Sequence, residues 1–201
     1  MIKQRRLLLL GAAALLAGCD NKPKASTKPF LSAVDITGAD YGSKLSLPDQ
    51  NGKIRTMADF KGKFTVVFFG YTQCPDVCPT TMAELAQVKK SLGKDGDRVQ
   101  GVFITIDPER DTPELLKAYL TAFDPSFIAL RGTLEQTAAA AKDFKVYYAK
   151  VPSKSADTYT MDHTAGSYVF DDAGRLRLFT KYGSGAEALA ADLKNLISSA
   201  G

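Results

Sequence analysis

Cys74 and Cys78 stand in the segment Tyr71-Thr72-Gln73-Cys74-Pro75-Asp76-Val77-Cys78-Pro79, with three residues between them. Two soft sulfurs at this spacing can ligate a metal, exchange disulfides, or do both. As a structural staple the pair is poor, because linking it closes a tiny loop and removes little chain entropy. The chain has 3 cysteines in all and 1 histidine, so the donor inventory is short. Iron–sulfur clusters and structural zinc each ask for four protein donors. Two thiolates can hold Cu(I), and an added imidazole accommodates Cu(II). Copper fits the donor count best, through Cys74, Cys78 and the lone His163. Disulfide exchange stays open on the same two sulfurs.

These residues need elements to position them. Phe64 to Phe69 reads as a buried strand leading straight into the cysteine segment. Pro79 to Leu92 has helical spacing through Met82, Leu85, Val88 and Leu92. If that helix starts near Cys74, with Pro75 in its first turn, Cys78 lies one turn on. Both sulfurs then share a face, with Cα atoms about 6 Å apart. The helix N-terminus favours the Cys74 thiolate. Asp76, between the sulfurs, is placed to tune them or to serve as a helix-start carboxylate. Downstream, Val99 to Ile106 is a second buried strand and Pro113 to Phe123 a helix with Thr112 as its N-cap. A short strand (Phe127 to Leu130), a helix (Leu134 to Phe144) and a strand (Val146 to Ala149) follow. Pro152 to Asp162 reads as a polar, aperiodic surface loop ending at His163. Gly166 to Phe170 and Leu176 to Phe179 form a hairpin around Asp171-Asp172-Ala173-Gly174, and Ala186 to Ile197 is an amphipathic helix. Before all of these, Leu45–Leu47 and Lys53–Arg55 flank the turn Asp49-Gln50-Asn51-Gly52 as an N-terminal β-hairpin.

This alternation predicts an α/β fold, thioredoxin-like, with a central mixed sheet flanked by helices. In that fold the segment entering the next-to-last strand faces the cysteine motif, which is where His163 falls. Asp162 is its candidate orienting carboxylate, although neighbours in extended chain point apart. Asp107 to Pro113 should form a loop at the C-terminal edge of the sheet, where sites of α/β proteins gather, or else simply cap the next helix. Tyr71 either lines the site or packs beneath it.

Residues 1–18 read as a targeting segment, with Lys3, Arg5 and Arg6 ahead of the apolar run from Leu7 to Leu16. Leu16-Ala17-Gly18-Cys19 resembles the bacterial lipobox, which implies a lipid on Cys19. Asp20 resembles an inner-membrane retention signal, so the expected location is the inner membrane, facing the periplasm. Residues 19–30 would then be the lipidated cysteine and a flexible tether, and residues 31–201 one domain. Cleavage would take the formal charge from +4 to about +1, which offers nucleic acid no electrostatic footprint.

The blocks Phe68 to Pro79, Asp107-Pro108-Glu109-Arg110-Asp111-Thr112-Pro113 and Asp162-His163-Thr164, in that order, resemble the Sco/SenC family. The resemblance implies a membrane-anchored, thioredoxin-like copper protein with Cys74, Cys78 and His163 as ligands. It implies support for assembly of the binuclear copper site of cytochrome c oxidase, with the copper-site subunit as partner. Other periplasmic copper chaperones or thiol reductants are further expected partners. The family's usual anchor is a transmembrane helix, which the lipobox would replace here. The alternative function is a thiol-disulfide reductase, with Cys74 attacking and Cys78 resolving, that keeps the recipient's cysteines reduced. That role does not need His163.

Overall fold

The run Phe64–Gly70 is buried along its whole length. A strand carries seven apolar or small residues in a row only when both faces of its sheet are covered. The computed structural model of the chain describes residues 29–152 and 159–199. The targeting segment, Cys19 and most of the tether lie outside the described residues. In chain order the elements are β1 (Val34–Asp35), β2 (Leu47–Pro48), β3 (Ile54–Arg55), β4 (Phe64–Gly70), α1 (Val77–Ser91) and β5 (Val99–Thr105). Then come α2 (Pro113–Thr121), β6 (Ile128–Leu130), α3 (Leu134–Asp143), β7 (Tyr148–Pro152) and β8 (Tyr159–His163). β9 (Gly166–Phe170), β10 (Leu176–Lys181) and α4 (Ala186–Ser199) complete the fold.

The main sheet has six strands in the order β1-β10-β9-β4-β5-β6. β4, β5 and β6 run parallel, while β9 is antiparallel to β4 and β10 to β9. This is the mixed, thioredoxin-like sheet that the sequence predicts. Side chains alternate across β4 and so divide the core in two. Phe68 meets Phe103, which meets Tyr119 of α2, on one face. Phe69 meets Phe144, just past α3, on the other, with ring centroids 5.1 Å apart. The expected N-terminal hairpin is present, with Leu47 opposite Arg55. Its turn is set by Gly52 at φ 83 and by Asp49, whose carboxylate accepts from the amides of Asn51 and Lys53.

Two sequence expectations are corrected. The stretch Pro152 to Asp162 is not a loop throughout: Tyr159–His163 is β8, paired antiparallel with β7 in a separate two-stranded sheet. Its period of two is real but sparse, with Met161 buried between the exposed Thr160 and Asp162. A hairpin with one wet face has few apolar residues, so it reads as polar chain. The cysteine helix also begins later than Cys74: its N-cap is Asp76 and its first residue Val77. Cys74 therefore sits in the turn before the helix, where its amide donates to the Tyr71 carbonyl at 3.3 Å.

Candidate metal centre

β4 ends at Gly70, and the chain turns there toward α1. Cys78, in the first turn of α1, points back under the strand end and is fully buried. A Cβ on Gly70 would lie 2.8 Å from the Cys78 sulfur and 2.8 Å from the Phe68 ring. Only glycine leaves room for the sulfur there. Cys74 is half-buried, and its sulfur accepts from the Cys78 backbone N–H at 3.4 Å. Asp76 makes no capping bond with its own side chain. The Cys74 sulfur thus takes the place of an N-cap oxygen, at the positive end of the helix.

His163 is the last residue of β8. Its Nε2 lies 3.6 Å from the Cys78 sulfur. Its Nδ1 lies 3.1 Å from the Thr164 carbonyl, which can only accept, so Nδ1 carries the proton and Nε2 presents its lone pair to the sulfurs. The ring is held edge-on by Phe68 and Tyr71, with centroids 5.7 and 6.2 Å away. Sγ of Cys74, Sγ of Cys78 and a His163 ring nitrogen all lie within 4.8 Å of one another, a three-donor group found among the described residues. Both cysteines are free thiols. Burial pushes the Cys78 thiol far above its ordinary range, against an opposing backbone hydrogen bond from Tyr71. Burial also holds the His163 imidazole below its usual range, so it stays neutral. Two sulfurs and one neutral nitrogen in a half-buried cleft are a soft donor set that copper fits.

The two candidate supporting carboxylates do not touch the donors in the way the sequence suggested. Asp162 points away from the imidazole, as alternation along a strand requires, and the Thr164 carbonyl does the orienting instead. Asp162 acts only as a nearby charge. Asp76 is exposed and turns to the hydroxyls of Thr80 and Tyr182, at 3.3 and 3.5 Å.

Tyr71 both packs and lines the site: it is buried, and its hydroxyl accepts from the Met161 amide at 3.2 Å. The segment Asp107 to Pro113 likewise does both of its proposed jobs. Thr112 caps α2 through the Leu115 amide, and Asp111 grips the cysteine loop. The buried Asp111 carboxylate accepts from the Thr72 amide at 3.2 Å, the Thr72 hydroxyl at 2.6 Å and the Thr105 hydroxyl at 2.5 Å. Burial pushes this carboxyl above its ordinary range, and those hydrogen bonds pull it back. Sequence reasoning missed Thr72, Arg110 and Tyr159 as members of the site. The alternation Tyr159-Met161-His163 was the available signal for the last of these.

The sequence model of the SCO1/SenC family matches residues 34–198. A SCO2-like protein of Rickettsia prowazekii is 40% identical over 172 residues, covering 84% of this chain and 82% of its own. Bradyrhizobium japonicum ScoI, solved with copper bound, superposes with TM-score 0.70 at 46% identity, covering 78% of this chain and 99% of that one. Arabidopsis thaliana ScoI, also solved with copper bound, gives TM-score 0.74 at 30% identity, with 80% and 99% covered.

Two outcomes follow from the burial of Cys78. Because its folded pKa is raised, Cys78 remains a thiol through neutral pH. Its alkylation in the metal-free protein should therefore lag Cys74 by at least about a hundredfold and rise about tenfold per pH unit with no plateau below about pH 10. Mass spectrometry of alkylated peptides across pH reads this directly; equal rates at pH 7 would contradict it. Gly70→Ala should displace the Cys78 sulfur while the fold persists, seen as a Cys78 alkylation rate raised by about tenfold or more.

Proposed function

The chain belongs to the SCO1/SenC family, and from that premise we propose that it is a copper metallochaperone that takes its cargo through Cys74, Cys78 and His163. The observation that carries this reading is the convergence of two sulfurs and one imidazole nitrogen within 4.8 Å, from segments far apart in the chain. Copper fits that donor set by softness and by count, and two related proteins of this fold were solved with copper bound. The destination implied by the family resemblance is the binuclear copper site of cytochrome c oxidase, with its copper-site subunit as recipient. Residues 1–18 are read as a lipoprotein signal and Cys19 as the lipidated residue, anchoring the domain to the inner membrane on its periplasmic side. Among the described residues no helix is long and apolar enough to cross a membrane.

Each donor has a separable task. Cys78 gives up the proton that burial holds on it, and its thiolate becomes the inner donor. His163 offers the Nε2 lone pair, already oriented by the Thr164 carbonyl. Cys74, half-buried at the rim, is the donor an incoming recipient thiolate can reach and replace. Bound copper supplies a soft ion that passes between such donors by ligand exchange.

A second reading keeps the same residues. Cys74 is the more accessible sulfur, capping a helix start, and Cys78 lies beneath it, which is the order of attacking and resolving thiols in a disulfide reductase. That chemistry does not need His163.

Titration of the reduced protein with copper tests the proposal. Wild type should bind one copper per chain, and the Cys74→Ser, Cys78→Ser double variant none. His163→Ala should lose the thiolate-to-Cu(II) charge-transfer band while keeping Cu(I) within about tenfold of wild-type affinity. Because Cys78 must deprotonate, Cu(I) affinity should rise by about a decade or more per pH unit across the neutral range. Absence of stoichiometric binding, or undiminished binding by the double variant, overturns the proposal. A recipient-disulfide reduction activity that survives His163→Ala intact, without copper uptake, favours the reductase.

A further inference from the structure

We propose that Arg110 is a positioning residue: it latches the β7–β8 hairpin to the cysteine loop and so sets whether His163 stands within reach of the sulfurs. The proposal deepens the copper reading and takes only the identity of the metal from it. Among the described residues the hairpin shares no backbone ladder with the six-stranded sheet. Its lateral position is therefore set by side chains and by the short links from α3 into β7 and from β8 into β9.

Arg110 contributes several contacts from one planar group, beside the buried Met161 side chain, the Tyr71 hydroxyl on the Met161 amide and the Lys150–Glu109 ion pair. Its guanidinium carbon lies 3.6 Å from the centroid of the Tyr159 ring and 5.7 Å from that of Tyr71. Nη1 donates to the Tyr159 carbonyl at 2.9 Å and to Gln73 Oε1 at 3.1 Å. Nε donates to the Asp107 carboxylate, whose other oxygen accepts from the Tyr159 hydroxyl at 2.8 Å. One side chain thus joins the neighbour of Cys74, the ring beside His163 and the strand that ends in His163. Tyr159 and His163 lie four residues apart on the same face of β8. A shift at Tyr159 is carried along the strand to the imidazole.

The two sulfurs come from one short segment, pinned by Asp111 through Thr72. The nitrogen comes from the hairpin alone. Loosening the latch parts the nitrogen from the sulfurs and leaves the sulfurs together. Its effect should therefore be selective, weakening Cu(II), which needs the nitrogen, more than Cu(I), which the thiolates hold. Lysine cannot replace arginine here, since it lacks both the flat face and the fork of donors.

Hydrogen exchange on the metal-free protein is the first test. In Arg110→Ala, and nearly as much in Arg110→Lys, amides of β7 and β8 should exchange at least about tenfold faster, with β4 and β5 unchanged. Unchanged hairpin exchange, full rescue by lysine, or equal acceleration in β4 would overturn the latch. If Arg110→Ala does not fold, Tyr159→Phe, which removes only the hydroxyl on Asp107, should still accelerate the hairpin by about threefold, and no change there counts against the proposal. The second readout is metal selectivity. Cu(II) affinity should fall by about tenfold or more in Arg110→Ala while Cu(I) affinity stays within about threefold, and equal losses contradict the latch. A wild type that takes up no copper would remove the function proposed above, and the exchange result alone would then decide the latch.

Discussion

Two sulfurs and one imidazole nitrogen are held within 4.8 Å of one another by the polypeptide itself, and the structure depends on how it does this with the deeper groups uncharged. The two deeper donors are neutral. Burial keeps the Cys78 proton in place, and a neutral thiol packs like a small apolar group. Burial also keeps His163 unprotonated, and its one N–H is given to the Thr164 carbonyl. A thiolate or imidazolium buried in the same place without a partner would cost several kcal/mol. On the function proposed above, Cys78 would exchange its proton for the metal as the ion binds.

Holding the donors still falls to a loop with no donor of its own. The segment from Asp107 to Pro113 leaves the C-terminal end of β5 beside the end of β4. Asp111 takes hold of Thr72, two residues before Cys74, and Thr105 closes the same carboxylate. Arg131 in turn donates to the carbonyls of Asp111 and Pro108, both at 2.8 Å, so two of the loop's own carbonyls are satisfied. These bonds tie the loop at several points, although Arg110 Nη2 is buried without a hydrogen-bond partner among the described residues. The ties are what the loop lends to the cysteine turn.

How much of this was legible in the sequence varies with distance along the chain. The N-terminal hairpin was readable because Asn51-Gly52 fixes a turn locally. The buried strand Phe64–Gly70 was readable because few other structures bury so long an apolar run. The donors themselves were readable because the chain has so few soft groups. β8 was missed because a hairpin with one exposed face carries only Tyr159, Met161 and His163 as its inward signal, too few to stand out. The helix start was misplaced because the Cys74 sulfur does the capping, a role that residue statistics give to oxygen. The contacts of Arg110 with Gln73 and Tyr159 span 37 and 49 residues, and no local pattern announces them.

The proposed copper set is Cys74, Cys78 and His163 acting together. X-ray absorption at the copper edge of the loaded wild-type protein tests it most directly, with His163→Ala measured beside it. Cu(II) should show two sulfurs and one imidazole nitrogen as its nearest neighbours, with the imidazole's outer scattering lost in His163→Ala. A shell of oxygen and nitrogen without sulfur, or imidazole scattering that persists in the variant, would contradict it.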